Sequence, residues 1–453
     1  MKKDSFSGLL EEIAAGPKAP GHSYILSGYT YEDVYAMACC LQQRHFPADR
    51  QESVCLCTRD RAVTAAALLA AITRPVTLVI PYSFTKEVLS RTHQACKFSK
   101  AISDTSVPVP DGVEVVIPEH EHFRGNKLDH AGIRDPDSAF VRLFTGGTTR
   151  EPRIWSKTIR NLFGEALYHA RKLEVTENDL FAATVPAYHI YGLLFSVLTP
   201  FMASASVIGE ELTYPREIRH AVGRKFATIL VSIPLHYRML AGTEFKAESL
   251  RFALSSAARL EEADSRAFYT QTGLGITEVF GSTETGGIAT RLCSREQPHF
   301  TPFDCIDWKI IDHLLAIRSD FISPELPVDT EGFFVTSDRA KTVGPNGFQL
   351  AGRADSIVKV GGRRVDLEEV KSAIVGMTGV EDAAVICAEN GSGRGNEIRA
   401  LVAAGIDSGE IRRYLQNRIP DYAVPRRIRV VERIPVSPAG KYENTEIYKL
   451  LAT

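Results

Sequence analysis

Three features of the sequence predict an α/β protein: a large N-terminal domain of parallel and mixed sheets flanked by helices, followed by a small C-terminal α+β domain. Short apolar runs rich in Val, Ile and Phe alternate with helix-length stretches through most of the chain, which is the pattern of repeated βαβ units. A loop rich in glycine and threonine directly follows one of those runs, at Thr145 to Thr149. Beyond Asp355 the alternation tightens into closely spaced strands and two helices within about a hundred residues, the size of a small independent domain.

At 453 residues, with 44% hydrophobic and 24% charged side chains, the chain can build a large core and has the length for two or three domains. A formal net charge of −2 gives no electrostatic footprint for nucleic acid or an acidic membrane surface, so a small-molecule partner is expected. The eight cysteines are scattered and form no C-x-x-C unit, which predicts reduced, buried thiols. The N-terminus, M-K-K-D-S-F-S-G-L-L-E-E, carries acids where a signal peptide needs an unbroken apolar run. The apolar stretches Ala65–Ile72 and Val76–Ile80 fall short of the ~20 residues that cross a bilayer. A cytoplasmic location is therefore expected.

In order along the chain, Ser53–Cys57 reads as a strand, Ala62–Ile72 as an alanine-rich helix and Val76–Pro81 as a second strand, the first βαβ unit. Phe84–Phe98 continues as helix and Ala101–Ser103 as strand. Residues 104–136, rich in Pro, Asp, Glu and His, show no period and read as an excursion or linker. Phe140–Phe144 is a strand that runs into Thr145-Gly146-Gly147-Thr148-Thr149, and Pro152 ends the loop before Arg153. Two glycines among threonines can converge N–H groups and hydroxyls on phosphate oxygens; an ordinary polar turn uses the same residues. The Walker spacing does not fit.

Behind the loop, Ser156–Leu173 reads as a helix capped by Ser156, and Asp179–Val185 as a strand. Phe226–Ile233, Leu235–Leu240 and Leu250–Ser255 repeat strand, helix, strand. The last ends in Ser256-Ala257-Ala258, small enough for a flat ring to approach the backbone, or simply a strand-end turn. Phe333–Asp338 is a strand ending in an acid. The small domain reads as strand Ser356–Val360, helix Asp366–Val375, strands Ala383–Ala388 and Ile398–Ala404, helix Ser408–Arg418 and strand Arg427–Val431.

Four blocks, 143–153, 280–284, 333–366 and 434–441, resemble the adenylate-forming superfamily of acyl-CoA synthetases, aryl-acid ligases, peptide-synthetase adenylation domains and luciferases. The first, L-F-T-G-G-T-T-R-E-P-R, is similar to that family's Thr-Ser-Gly-Thr-Thr-Gly-x-Pro-Lys loop, with Gly146, Arg150 and Arg153 standing where Ser, Gly and Lys are usual. Pro186-Ala187-Tyr188-His189-Ile190-Tyr191-Gly192 resembles its acyl-pocket loop, and Phe280-Gly281-Ser282-Thr283-Glu284 its aromatic-Gly-x-Thr-Glu motif. Ile434 to Lys441 resembles its Gly-Lys catalytic loop.

The resemblance implies an acyl-CoA synthetase-like fold and a set of roles. Thr145, Gly146, Gly147, Thr148, Thr149 and Arg153 would hold the phosphates of ATP. Ser256, Ala257, Ala258, Phe280 and Gly281 would flank the adenine, and Asp338 and Arg353 would bind the ribose. Thr283 would meet a phosphate and Glu284 a magnesium ion, for which a hard carboxylate is suited. His189, with Tyr188 and Tyr191, would line the acid pocket, and Lys441, Thr283, Glu284 and His189 would serve catalysis. Domain boundaries are implied at 1–352 for the large domain, 353–355 for a hinge centred on Asp355, and 356–453 for a mobile small domain, with Gly361 and Gly362 on the tunnel of a pantetheine arm or in a plain β-turn.

The implied reaction is ATP-dependent activation of an aryl or medium-chain carboxylic acid to acyl-AMP, with loss of pyrophosphate and then transfer to a thiol. Coenzyme A and the phosphopantetheine of an acyl carrier protein are equally compatible acceptors. An idle, nucleotide-binding relative acting as a regulator or partner is the alternative.

Overall fold

The computed structural model describes residues 3–145, 153–293, 299–360, 362–389, 396–437 and 440–452. Two compact units result: Met1–Asp307 with Arg318–Asp329, and Trp308–Ile317 with Thr330–Thr453. The expected hinge at 353–355 thus lies within the second unit.

The first unit contains two doubly wound sheets. One is built from β1 (Glu52–Leu56), β2 (Val76–Ile80), β3 (Lys100–Ile102), β4 (Glu114–Val116), β5 (Ala139–Thr145) and β6 (Arg153–Thr158), in the order β4-β3-β1-β2-β5-β6. Every pairing is parallel except β5 with β6. The helix Arg61–Ile72 that connects β1 to β2 is buried along its whole length, which is why alanine fills six of its twelve positions. Small side chains let it pack closely, and Asp60 caps it by accepting from the N–H groups of Ala62 and Val63.

The second sheet contains β7 (Leu180–Ala183), β8 (Ser206–Val207), β9 (Ile229–Ser232), β10 (Phe252–Ser255), β11 (Ile276–Ser282), β12 (Gly286–Cys293) and β13 (Thr301–Pro302), ordered β13-β12-β11-β10-β9-β7-β8. Its centre is parallel, and β11 turns back on β12 as an antiparallel hairpin. One face is covered by a cluster in which Phe268 packs edge-on to Tyr237 at 5.1 Å and against Phe245 at 5.7 Å.

In the second unit, β14 (Asp307–Ile311), β15 (Leu314–Arg318), β16 (Phe334–Val343) and β17 (Gly347–Arg353) form a four-stranded sheet. The hairpin β18 (Ile357–Val360) and β19 (Arg363–Asp366) leads to helix Leu367–Val375. The sheet of β20 (Val380–Glu389), β21 (Asn396–Ala404) and β22 (Arg427–Val431) follows. Asp366 joins these parts: it caps the helix, accepts from Ser356 at 2.7 Å and pairs with Arg339.

The α/β class and the strand–helix alternation are as expected. One local reading is corrected. Ser156 does not cap a helix; it lies in β6, opposite Arg142 of β5, and the helix starts only at Arg160. Pairing with a preformed strand outweighs the local capping preference of Ser-Lys-Thr. The excursion 104–136 also contributes a strand, β4, too short to leave a period. Among the described residues no helix is long and apolar enough to cross a membrane.

Phe268 is 1% exposed, so Phe268→Ala is expected to lower stability by about 3–5 kcal/mol, measured as the shift in denaturant midpoint of the first unit's unfolding transition.

Candidate active site

The β5–β6 hairpin brings the two ends of the glycine-threonine loop together: Thr145 faces Arg153 in the last register, and the Thr145 hydroxyl donates to the Arg153 carbonyl at 3.4 Å. Gly146, Gly147, Thr148 and Thr149 lie outside the described residues.

At the C-terminal edge of the second sheet, where ligands of doubly wound folds bind, Ser255 pairs with Glu278 across β10 and β11. The next residue, Ser256, donates its hydroxyl to the Val279 carbonyl at 2.8 Å, tying the small-residue turn to the strand end that carries Phe280. Ala257 sits in the left-handed region with φ 75°, a conformation that glycine adopts freely and alanine does not. The Phe280 ring lies 5.4 Å from Phe300, whose face is covered by the Arg291 guanidinium at 4.9 Å. Arg291 in turn is held by the buried Glu278 at 2.5 Å. Sequence reading missed Glu278, Arg291 and Phe300, because their contacts form only across strands.

Thr283 and Glu284 lie in the tight turn between β11 and β12. Ser282 and Thr285 close it: the Ser282 N–H donates to the Thr285 hydroxyl at 3.0 Å, and the Thr285 N–H to the Ser282 hydroxyl at 3.2 Å. Thr283 is buried and Glu284 is half-buried. The Glu284 carbonyl accepts from the Ser323 N–H at 2.8 Å and from the Lys157 ammonium at 3.2 Å. Behind the turn, the Gly287 N–H donates to the carboxylate of buried Glu165 at 2.7 Å. A Cβ on Gly286 would fall 2.6 Å from that carboxylate and 2.8 Å from the Phe321 Cβ, at a φ of 69°, so glycine is required there; one on Gly287 would fall 2.8 Å from the Phe303 ring and 2.9 Å from the carboxylate.

Lys157 is 1% exposed and also donates to the Phe321 carbonyl at 3.0 Å. Burial pushes its ammonium down to about 8, while the fields of Glu165, Glu284 and Glu325 oppose that shift. Neither Lys157 nor Glu165 was recognisable in the sequence.

In the acid-pocket loop, His189 starts the turn Ile190–Leu193, and its ring lies 4.7 Å from Tyr188, which packs against Phe84 at 4.7 Å. Tyr191 lies 5.2 Å from Phe195, and burial drives its phenol well above the usual range. Gly192 is required sterically, since a Cβ there would sit 2.0 Å from the Pro186 carbonyl oxygen.

The other predicted residues belong to the second unit. Asp338 and Arg353 are register partners across β16 and β17, with a guanidinium-to-carboxylate distance of 3.5 Å. Arg353 also grips Asp355 through two bonds of 2.8 and 2.6 Å. Gly362, at φ 80°, forms the turn between β18 and β19, and Gly361 lies outside the described residues. Lys441 is exposed at the end of a short turn in which the Ser437 N–H donates to the Lys441 carbonyl at 2.7 Å and Gly440 adopts φ 73°. Among the described residues no group of three or more His, Cys, Asp or Glu could hold a metal by itself. Glu284 therefore fits magnesium only in the manner of an ion completed by substrate phosphates and water.

Two doubly wound sheets, one of them with a Thr-Glu turn at the edge where such folds bind ligands, define an open α/β architecture. The chain belongs to the AMP-binding enzyme family, matching its main domain over residues 29–317 and its C-terminal domain over 369–441. It is similar to a sulfoacetate–CoA ligase of Cupriavidus necator, 23% identical over 404 residues that span 82% of this chain and 79% of that one. It is also 23% identical over 303 residues to a 3,4-dihydroxybenzoate–[aryl-carrier protein] ligase of Bacillus anthracis, covering 66% of this chain and 71% of the other. In fold it resembles the O-succinylbenzoate coenzyme A synthetase of Bacillus subtilis solved with ATP and magnesium, with a TM-score of 0.79, 18% identity, and coverage of 97% and 98% of the two chains.

Ala257→Gly is expected to raise stability by about 1 kcal/mol, seen as a higher melting temperature, because the left-handed conformation then costs nothing. The Lys157 shift gives a signed pH dependence. With a folded value near 8 and a higher unfolded one, the unfolded chain binds more protons between them, so the lysine's contribution to stability is least favourable below about pH 8 and improves as pH rises further. Denaturation profiles from pH 7 to 10 should rise more steeply for the wild type than for Lys157→Met.

Proposed function

We propose that this protein activates a carboxylic acid with ATP, releasing pyrophosphate, and passes the acyl group from AMP to a thiol. The observation that carries the reading is the Ser282–Gly287 turn: Thr283 and a half-exposed Glu284 carboxylate stand on a main chain fixed from behind, next to Phe280 and Ser256. That is the equipment of charge neutralisation and positioning, and attack of a carboxylate oxygen on the α-phosphorus, with the bond to pyrophosphate breaking, needs little else from the protein.

Thr145, Thr148, Thr149 and Arg153 hold the outer phosphates in this scheme, and Arg153 offsets the charge of the leaving pyrophosphate. Phe280, with Ser256, Ala257, Ala258 and Gly281, receives the adenine, while Asp338 and Arg353 receive the ribose. Glu284 would hold a magnesium ion, which when bound would supply Lewis-acid neutralisation of phosphate charge. Lys441 supplies a compact positive charge between substrate carboxylate and α-phosphate, which otherwise repel. His189, Tyr188 and Tyr191 shape an acid pocket suited to an aryl or medium-chain acid. For the second step, rotation about Asp355 would withdraw Lys441 and present the Gly361–Gly362 turn to the incoming pantetheine arm.

The names of the relatives support both acceptors, one being a CoA ligase and another a carrier-protein ligase. The cysteines are free thiols, which suits a reducing cytoplasmic setting for the proposal.

Acid-dependent exchange of labelled pyrophosphate into ATP, run across an acid panel, tests the reading; ATP binding without exchange on any acid would leave an idle relative instead. Lys441→Ala should lower exchange by about a hundredfold or more and leave thioester formation from supplied acyl-AMP largely intact.

A further inference from the structure

The first unit holds a buried lysine that the scheme above does not use. Lys157 lies on β6, the strand that begins with Arg153, and its ammonium reaches the main-chain carbonyls of Glu284 and Phe321. The neighbouring Ser156 N–H donates to the Glu325 carboxylate at 2.6 Å, and the Ser323 N–H donates to the same Glu284 carbonyl. On the far side, Glu165 accepts from Gly287 and fills the space beside Gly286. The Thr283–Glu284 turn is thus gripped from both flanks, and one of the grips originates on the strand of the phosphate-loop hairpin.

Burying an ammonium costs free energy that an apolar side chain of the same shape would avoid. The two carbonyls it satisfies offset part of that cost. Its two bonds go to carbonyls rather than to an ion-pair partner, one of them the carbonyl of the residue assigned to magnesium, which is what fixing a main chain requires.

We propose that Lys157, backed by Glu165, is a positioning residue for adenylation: it fixes the main chain of Glu284 relative to the strand of Arg153 and so sets where the Glu284 carboxylate and the Thr283 hydroxyl meet magnesium and phosphate. The inference rests on the reading of Glu284 given above.

The test compares the full chain with Lys157→Met, Lys157→Gln and Glu284→Gln. Affinities for magnesium–ATP and for adenosine are measured by calorimetry, alongside melting temperature and acid-dependent pyrophosphate exchange. Lys157→Met should weaken magnesium–ATP binding and slow exchange by about tenfold each, the weight of one charge-assisted hydrogen bond. Adenosine affinity should stay within about twofold, since Lys157 bonds the main chain of Glu284 and Phe321 and not that of Phe280 or Ser256, and the melting temperature should fall little or not at all. Lys157→Gln, which keeps one amide donor, should fall between Met and wild type, and it carries the same comparison if the Met variant does not fold.

Wild-type magnesium–ATP affinity and exchange in Lys157→Met would overturn the proposal. So would a joint fall in adenosine affinity, magnesium–ATP affinity and melting temperature, which marks a merely structural lysine. Glu284→Gln separates the two layers: if it changes neither magnesium–ATP binding nor exchange, the assignment of Glu284 fails. If it impairs both while Lys157→Met does not, only the positioning role fails.

Discussion

One carbonyl oxygen, that of Glu284, accepts two donors from distant parts of the chain, and the first unit is arranged so that both arrive. An isolated hairpin turn of four residues would sample many conformations, since each residue held in one well costs about 1–2 kcal/mol of entropy. Here the Ser282–Thr285 cross-bonds close the turn, β11 is bonded to β10 on one side and β12 on the other, and the segment around Phe321 and Ser323 presses on it from behind. The freedom is removed before any ligand arrives, which is the condition under which a carboxylate and a hydroxyl can act on a phosphate without reorganising.

The parts of this site that could be read in the sequence are those whose chemistry is written in consecutive residues. Phe280 to Glu284 and Tyr188 to Gly192 in the first unit, and Gly440-Lys441 in the second, each carry a turn former and the side chain proposed to act within a few positions. Lys157 and Glu165 could not be found this way, because their partners lie 127 and 122 residues further along the chain. The same non-locality explains the misread helix start at Ser156: Ser-Lys-Thr satisfies a capping preference locally, yet the competing hydrogen bonds come from β5, which no local window includes. Ala257 shows a third limit. Small size at that position was legible, but its positive φ was not, since nothing in an alanine announces a conformation better suited to glycine.

The second unit uses its charges differently. Asp366 is half-buried and joins Arg339, Ser356 and the start of helix Leu367–Val375, a fixed junction. Arg353 and Asp355, a few residues away, are about half exposed and form a bidentate pair in water. Exposed pairs of this kind contribute no more than about 1 kcal/mol. A pair this exposed is readily exchanged for solvent, unlike the junction at Asp366.

The contact of Glu165 with Gly286 and Gly287 also constrains how the sequence can diverge. The carboxylate, with Phe321 beside Gly286 and Phe303 beside Gly287, occupies the volume that a methyl on either glycine would need. Among descendants of this chain, shortening position 165 alone should not admit a bulkier residue: at 286 the Phe321 Cβ and a φ of 69° still exclude one, and at 287 the Phe303 ring still stands in the way.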